Sequence, residues 1–554
     1  MCGIAAFFGS EPKGFVGEGS KIQYRGPDIT KYIQIDSNLD PSRSAGMLFH
    51  RLAIVGLDSS GDQPLVNDGV YLICNGEIYN HSEVMKEEGF WANTTSDCEV
   101  ILHLYKKYGL EGCLERLDGV FAFFLYDSYT DTAYAARDRF GVRPAFYGIN
   151  EGTLFVASEA KAIENYVTEV KHLTPGNYID STSLSETEWY KFSAYPIMNF
   201  SKSGKEKVTR EIRWRLVKAV EKRMMSDREV CCLLSGGLDS SLVASIVSMI
   251  TKGYRLVRTA ERDSWQHFPD KVADYKLKTF SIGMAGSPDL DYADIAARWI
   301  DSDHHRVELT KDDFLESIKK TIYITESYDT TTVRASVGNY LISKYIADNT
   351  DCKVVFNGDG SDEVCCGYVY NANAPNPIEL QNEAKRLVDE IYLFDVLRSD
   401  RSISSNGLEP RTPFLDKDFV EYYFSIHPAY KLFGKNDRME KELLRSAFQI
   451  DGLLPREILW RHKCAFSDGI SAKEKSWHKT LQAHIESVIA DDEFEKVRVE
   501  IKNCTPELKE SLYYRRIHRE LFSESMDNLI PHFWMPRWTD VKDPSARELD
   551  VHRE

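Results

Sequence analysis

No stretch of this chain comes near the ~20 consecutive apolar residues that a bilayer span requires, so a membrane-embedded protein is not expected. It has no basic leader either: the opening residues MCGIAAFFGSEPKG carry an apolar run too short for a secretory signal. Basic charge is in deficit. Against 86 Asp and Glu stand 69 Lys and Arg, a formal net charge of −17, which argues against non-specific binding to nucleic acid or anionic lipid. Phosphate binding stays open, because such sites are built from backbone N–H groups and a few local cations. There is no internal repeat, no low-complexity tract, and no CxxC pair or histidine spacing that suggests zinc. The 11 cysteines are odd in number and include two adjacent pairs, Cys231–Cys232 and Cys365–Cys366. With no export signal, reduced thiols and a cytoplasmic location are expected. Most of the cysteines then serve as small buried apolar groups; Cys2 is the exception.

What is present reads as two domains or more, since 554 residues exceed the ~250–300 at which single cores stop growing. Residues 2–190 are strand-rich. The run Val120-Phe-Ala-Phe-Phe-Leu-Tyr126 suits a strand covered on both faces. Turn signals surround it at Tyr24–Asp28, Asn75-Gly76 and Arg139–Pro144. A helix is expected over Cys98–Tyr108, and a polar linker over residues 191–210. From residue 211 the pattern becomes alternating strand and helix, the mark of a parallel α/β sheet. Its strands are Val230–Leu234, Thr279–Ile282 and Val354–Phe356, with a helix over Leu242–Ile250. Residues 251–278 read as a polar surface excursion, the chain beyond about 375 as mainly helical, and 541–554 as a mobile polar tail.

Cys2 follows the initiator Met, and removal of Met1 would leave it a free α-amine with a reference pKa of ~7.7–8.0. That amine can take the proton of its own thiol. Downstream stand the groups that a free amino acid substrate demands. Arg51 offers a fork for an α-carboxylate; Glu77 and Asp97 offer anions for an α-ammonium. The Asn75 side chain and the Gly76 N–H can face an oxyanion. The motifs MCGI, YRGPD, HRLAIVG, NGEIYN, SDCE and RDRFGVRP together resemble the N-terminal-nucleophile glutamine amidotransferases over most of residues 2–190. The resemblance implies a four-layer αββα fold with antiparallel sheets and hydrolysis of glutamine to glutamate and ammonia. By matching positions it implies Cys2 as nucleophile, with Asn75 and Gly76 beside it. It implies glutamine contacts from Arg51, Leu52, Ala53, Ile54, Val55, Asn75, Gly76, Glu77 and Asp97.

Ser235-Gly-Gly-Leu-Asp-Ser-Ser241 ends the strand 230–234 and opens a helix. Glycines admit a phosphate to the backbone, and a helix N-terminus supplies oriented N–H groups. It is not a Walker A loop, having no Lys and its glycines first. SGGLDSS resembles the loop of ATP pyrophosphatases, which cleave between the α and β phosphates and leave an adenylated intermediate. Adenylation makes a carboxylate oxygen an AMP leaving group and so opens the carbon to ammonia. A departing pyrophosphate calls for Mg²⁺ and a cation: Asp239 and Asp362 are candidate metal ligands, Lys463 a candidate pyrophosphate contact. Asn357–Glu363, Ser327–Arg334 and Leu408–Asp416 are further candidate site loops. With SGGLDSS, and on through Glu457-Ile-Leu-Trp460 and His532–Arg537 to Asp543–Arg547, they resemble the synthetase domain of the glutamine-hydrolysing asparagine synthetases, over residues 211–540.

That resemblance implies ATP contacts from Leu234, Ser235, Gly236, Gly237, Leu238, Asp239, Ser240, Ser241, Ile282, Gly358 and Asp359, and aspartate contacts from Thr331, Arg334 and Glu363. It implies glutamine, aspartate and ATP as small-molecule partners, no nucleic acid and no membrane, and leaves a homodimer open. One departure stands out: the family carries Glu where this chain has Asp359, a side chain shorter by one methylene, roughly 1.5 Å. A loss of position of that size can cost on the order of 100-fold in rate. Two other readings compete. A relative that adenylates a different carboxylate, as β-lactam-forming synthetases do, typically lacks a working Cys2. A weakly catalytic, regulatory paralogue has only Asp359 in its favour.

Overall fold

The computed structural model describes residues 1–545 apart from 197, 199–203, 261, 435–437, 451, 465–468 and 472–476. The N-terminal part holds two six-stranded sheets, every ladder in them antiparallel. Alternation along each strand sets the layers. On the strand Gly3–Gly9, Ile4, Ala6 and Phe8 point towards the second sheet, where Ile73, Ala122, Phe124 and Tyr126 meet them. Ala5 and Phe7 point the other way, onto Phe15 and Ile22 of short helical turns. The strand Gly119–Asp127 repeats the logic, with Phe121, Phe123 and Leu125 packing under the helix Glu99–Arg116. The expected αββα sandwich is therefore present, and residues 120–126 are covered on both faces as read. The helix runs eight residues past Tyr108 because Gly109 (φ 71°) absorbs a break and lets a second helical piece follow.

The C-terminal part is built on a five-stranded, wholly parallel sheet. Its order is Asp303–Glu308, Lys278–Gly283, Val230–Leu233, Val354–Phe356, Glu409–Arg411. Helices cover it, and most of the chain beyond residue 375 is helical. The helix after the glycine-rich loop is Leu238–Thr251, beginning four residues before the expected Leu242, so Asp239, Ser240 and Ser241 form its first turn. The polar excursion 251–278 contains a β-hairpin, Lys252–Arg258 with Asp263–Val272.

Two expectations need correction. The helix Lys205–Lys222 starts inside the segment read as linker, because Val208, Ile212 and Leu216 give it an apolar face that joins the core. The rest of that segment lies partly outside the described residues. The tail does not begin at 541 as a free end: Asp543 is buried and accepts from Arg334 at 2.7 Å, while residues 546–554 lie outside the described residues.

The two halves meet through buried charge. Arg25 is wholly buried and donates to Glu159 (2.8 Å) in its own half and to Asp400 (2.9 and 3.2 Å) and Ser404 (3.0 Å) in the other. Glu326 of the C-terminal half accepts from the Lys161 backbone (2.7 Å) and pairs with Arg401 (2.9 Å). Buried ions of this kind hold only while every partner stays in place.

Candidate active sites

The first site lies where the strand Gly3–Gly9 begins. Cys2 donates from Sγ to the Leu52 carbonyl at 3.7 Å. Burial pushes its thiol up to about 11. Met1 is buried as well, its ammonium donating to the Leu408 carbonyl at 3.3 Å, and burial pulls that amine down to about 6. With Met1 in place the Cys2 thiol therefore stays protonated near neutral pH.

Asn75 is fully buried, yet neither its side-chain nitrogen nor its oxygen has a hydrogen-bond partner. Leaving such a group unpaired costs ~1–3 kcal/mol; a bound oxyanion would satisfy the Nδ2 donor. Gly76 admits no side chain, since a Cβ there would sit 2.4 Å from the Val120 carbonyl oxygen. Burial, reinforced by the neighbouring Glu409 and Asp97 carboxylates, raises Glu77 well above the usual carboxylate range. Asp97 is raised too, chiefly by burial, and accepts from the Ile78 N–H at 2.6 Å. A substrate ammonium would relieve both. Arg51 is not idle: it pairs with Asp62 at 2.6 Å and donates to the Asp58 carbonyl at 2.7 Å and to that of Gly56. A carboxylate must displace Asp62 to reach it. The segment 52–56 is held from the other half, with Arg228 donating to the Ala53 carbonyl (3.0 Å) and Asp227 joining Ile54 (2.9 Å) and Gly56 (2.8 Å).

The second site is a cavity of about 240 Å³ at the C-terminal ends of the parallel strands, where open α/β sheets take their ligands. Of the expected ATP residues, Leu234, Ser235, Gly237, Leu238, Asp239, Ser240, Ile282, Gly358 and Asp359 line it. Gly236 and Ser241 do not. Gly236 instead makes the turn at φ 69°, with the Ala293 N–H so near that a Cβ would lie 2.4 Å away. Ser241 is buried behind the loop. Ser235 and Ser240 are joined at 2.9 Å across the loop.

Beside the loop stands a charge cluster. Lys441 Nζ lies 2.7 Å from Asp239 and 2.6 Å from Asp362, and Lys463 Nζ lies 2.5 Å from the other oxygen of Asp362. Burial alone would push Asp362 up, but the two ammoniums outweigh it and hold its carboxyl well below the usual range. Asp239 and Asp362 both meet the Lys441 ammonium, which stands between them; a divalent cation held by the two carboxylates would take the place of that ammonium and complete its shell with phosphate oxygens and water. Lys441 is the residue that sequence reading missed. It lies in Arg438-Met-Glu-Lys-Glu-Leu-Leu-Arg445, where mixed charge at helical spacing gives no cue.

Asp359 is raised by burial, offset by Arg398, which donates to it at 3.4 Å. Asp395 in turn holds Arg398 at 2.7 Å. Tyr368 bridges Glu363 (2.6 Å) and Asp395 (2.9 Å). Burial and the repulsion of Asp395 raise Glu363 well above its usual range. Thr331 lines the cavity with a buried hydroxyl that lacks a partner.

Arg334 is a correction. It does not line the cavity; it is buried in a bidentate pair with Glu510 (2.8 and 2.6 Å) and a second with Asp543 (2.7 and 2.8 Å). A guanidinium with four charged hydrogen bonds is a fastener, not a free fork.

Comparison with known proteins bears on both halves. Residues 1–197 match the family model of the glutamine amidotransferase domain, and residues 211–385 and 372–540 match that of asparagine synthase. The asparagine synthetase [glutamine-hydrolyzing] of Gallus gallus is 42% identical over 100% of this chain and 99% of its own length. That of Bos taurus is 41% identical and that of Homo sapiens 40%, each with the same coverage. With the fold, the buried thiol site and the pyrophosphatase-like loop all in one chain, this protein belongs to the family of glutamine-hydrolysing asparagine synthetases.

Proposed function

We propose that this enzyme makes asparagine from aspartate, using ATP and ammonia drawn from glutamine, and releases glutamate, AMP and diphosphate. The observation that carries the reading is the convergence of Lys441 and Lys463 on Asp362 beside the Ser235–Ser241 loop.

In the first site, removal of Met1 leaves the Cys2 amine to take the thiol proton. The thiolate attacks the glutamine amide carbon; the C–N bond then breaks, the amide nitrogen takes the proton held by the Cys2 amine and leaves as ammonia, and water hydrolyses the thioester on Cys2 to release glutamate. The Asn75 side chain and the Gly76 N–H stabilise the oxyanion; removing one such donor costs about 10²–10³ in turnover. Glu77 and Asp97 hold the ammonium of the substrate, and Arg51 takes its carboxylate in place of Asp62. Residues 52–55 form the wall against which the side chain lies.

In the second site the backbone of residues 235–241 cradles the phosphates of ATP. Mg²⁺, held by Asp239 and Asp362, would supply positive charge to the departing diphosphate. Lys463 and Lys441 face the same charge. Thr331 and Glu363 hold aspartate, whose side-chain carboxylate attacks the α-phosphate and becomes β-aspartyl-AMP. Asp359, steered by Arg398, keeps the place that Glu has in the family. Ammonia then displaces AMP. One apolar cluster joins Ile54, Val120 and Val142 of the first half to Leu234, Leu238 and Leu415 of the second, so the region between the sites is packed with uncharged side chains.

Quantifying products tests this. Glutamine, aspartate, ATP and Mg²⁺ should yield asparagine, AMP and diphosphate in equal amounts. Glutamate alone would mean a bare glutaminase, and absence of all products a binding paralogue.

A further inference from the structure

Away from both sites, the helix Lys509–Leu521 forms one wall of a groove that the proposed reaction does not use. Its charged lining is Lys502, Arg515, Arg516 and Arg519 against Glu500 and Asp527, two positive charges in excess on a chain whose net charge is −17. Two of the four cations are already paired, Arg516 with Glu493 (2.7 Å) and Arg519 with Asp527 (3.0 Å). Arg515 is different. It is only 3% exposed, its Nε has no hydrogen-bond partner, and among the described residues no carboxylate lies within 4.0 Å of its guanidinium.

Arg515 is held on two sides. It donates to the Asn503 carbonyl at 2.6 Å, and its guanidinium lies 4.7 Å from the centre of the Tyr328 ring. Neither contact neutralises a buried charge, which is costly to keep unpaired. A planar guanidinium with spare donors is shaped for an oxyanion.

We propose that this groove is a binding site for a small phosphate-bearing anion, with Arg515 as its anchor and Lys502 and Arg516 at its rim. The site reaches the synthetase cavity through one contact chain. Tyr328 precedes Asp329, which caps the helix Thr330–Asn349 through the Thr332 N–H (2.7 Å) and accepts from the Trp534 N–H (2.9 Å). Thr331 and Trp534 both line that cavity. An anion on Arg515 would therefore stiffen the segment 327–331.

The test uses the full chain with its cavity filled by Mg²⁺ and an ATP analogue that resists cleavage between the α and β phosphates. Inorganic phosphate and glycerol phosphate are titrated separately by calorimetry, which tells a free phosphate from a monoester. Saturable binding is expected, weakened at least tenfold in Arg515→Gln, less in Arg515→Lys, and several-fold in the rim variant Lys502→Gln, whose exposed position spares the fold. Hydrogen exchange should slow in residues 327–331 and 503–528 when phosphate is added. Absence of binding in the unaltered protein, or binding by the Arg515→Gln and Lys502→Gln proteins as tight as by the unaltered protein, overturns the proposal. So does protection confined to the glycine-rich loop.

Discussion

At the scale of single residues, the account rests on groups that are buried without the partners burial demands. Asn75 is the clearest: an amide at 0% exposure with both polar atoms unpaired. Cys2→Ala should abolish glutamine-dependent synthesis and leave ammonium-dependent synthesis within a few fold, since the two chemistries occupy separate halves; assaying both nitrogen sources checks this. Asp359→Asn should lower synthesis about 100-fold while glutamine hydrolysis persists, and Asp359→Glu should keep or raise it. A full-rate Asp359→Asn enzyme would remove that carboxylate from the chemistry. Arg334→Ala should cost ~3–5 kcal/mol of stability, because it strands Glu510 and Asp543 as buried charges, and urea unfolding measures it. Arg334 also marks a limit of the sequence. Its position in Thr331–Arg334 suggested a substrate contact, but its partners lie 176 and 209 residues further along the chain, and no local pattern carries such a pairing. Lys441 is the converse case, a cavity cation that nothing near it in the sequence distinguishes.

At the scale of elements, what could be read was what depends on local period. Residues 120–126 form a two-faced strand, and 230–233 and 354–356 are short buried strands that end at the cavity. Boundaries were harder. The helix Leu238–Thr251 absorbs half the glycine-rich loop because Gly237 takes an extended N-cap conformation (φ −77°, ψ 167°), a choice invisible in the residue types. The C-terminal segment that packs on the first half carries a pH dependence. His172 donates from Nε2 to the Leu529 carbonyl (3.2 Å), and burial lowers it to about 3; burial likewise lowers His518 to about 4. The unfolded chain protonates these rings near ~6.5. Below that pH it binds protons the folded chain refuses, so stability is complete above pH ~6.5 and declines as pH falls towards the folded values. Each ring should contribute a slope approaching ~1.4 kcal/mol per pH unit between these limits. Urea midpoints at pH 7 and pH 5 should differ accordingly, and His172→Gln should flatten the difference; equal midpoints would mean the rings are not buried neutral.

At the scale of the whole molecule, two machines share one interface. Arg25 joins Glu159 to Asp400 across it, and the segment 52–56 of the thiol site is gripped by Asp227 and Arg228 of the synthetase half. The order of the two halves and their chemistry were legible, because clustered motifs report local backbone needs. The interface was not, since it is made of pairings 375 residues apart, as between Arg25 and Asp400. The most direct measurement follows the nitrogen. The protein with Met1 removed is given glutamine labelled with ¹⁵N in its side-chain amide, aspartate, ATP and Mg²⁺, in the presence of unlabelled ammonium. The account predicts asparagine whose amide is predominantly ¹⁵N, with one AMP and one diphosphate for each molecule formed. Asparagine lacking the label, or ADP and inorganic phosphate in place of AMP and diphosphate, would contradict it.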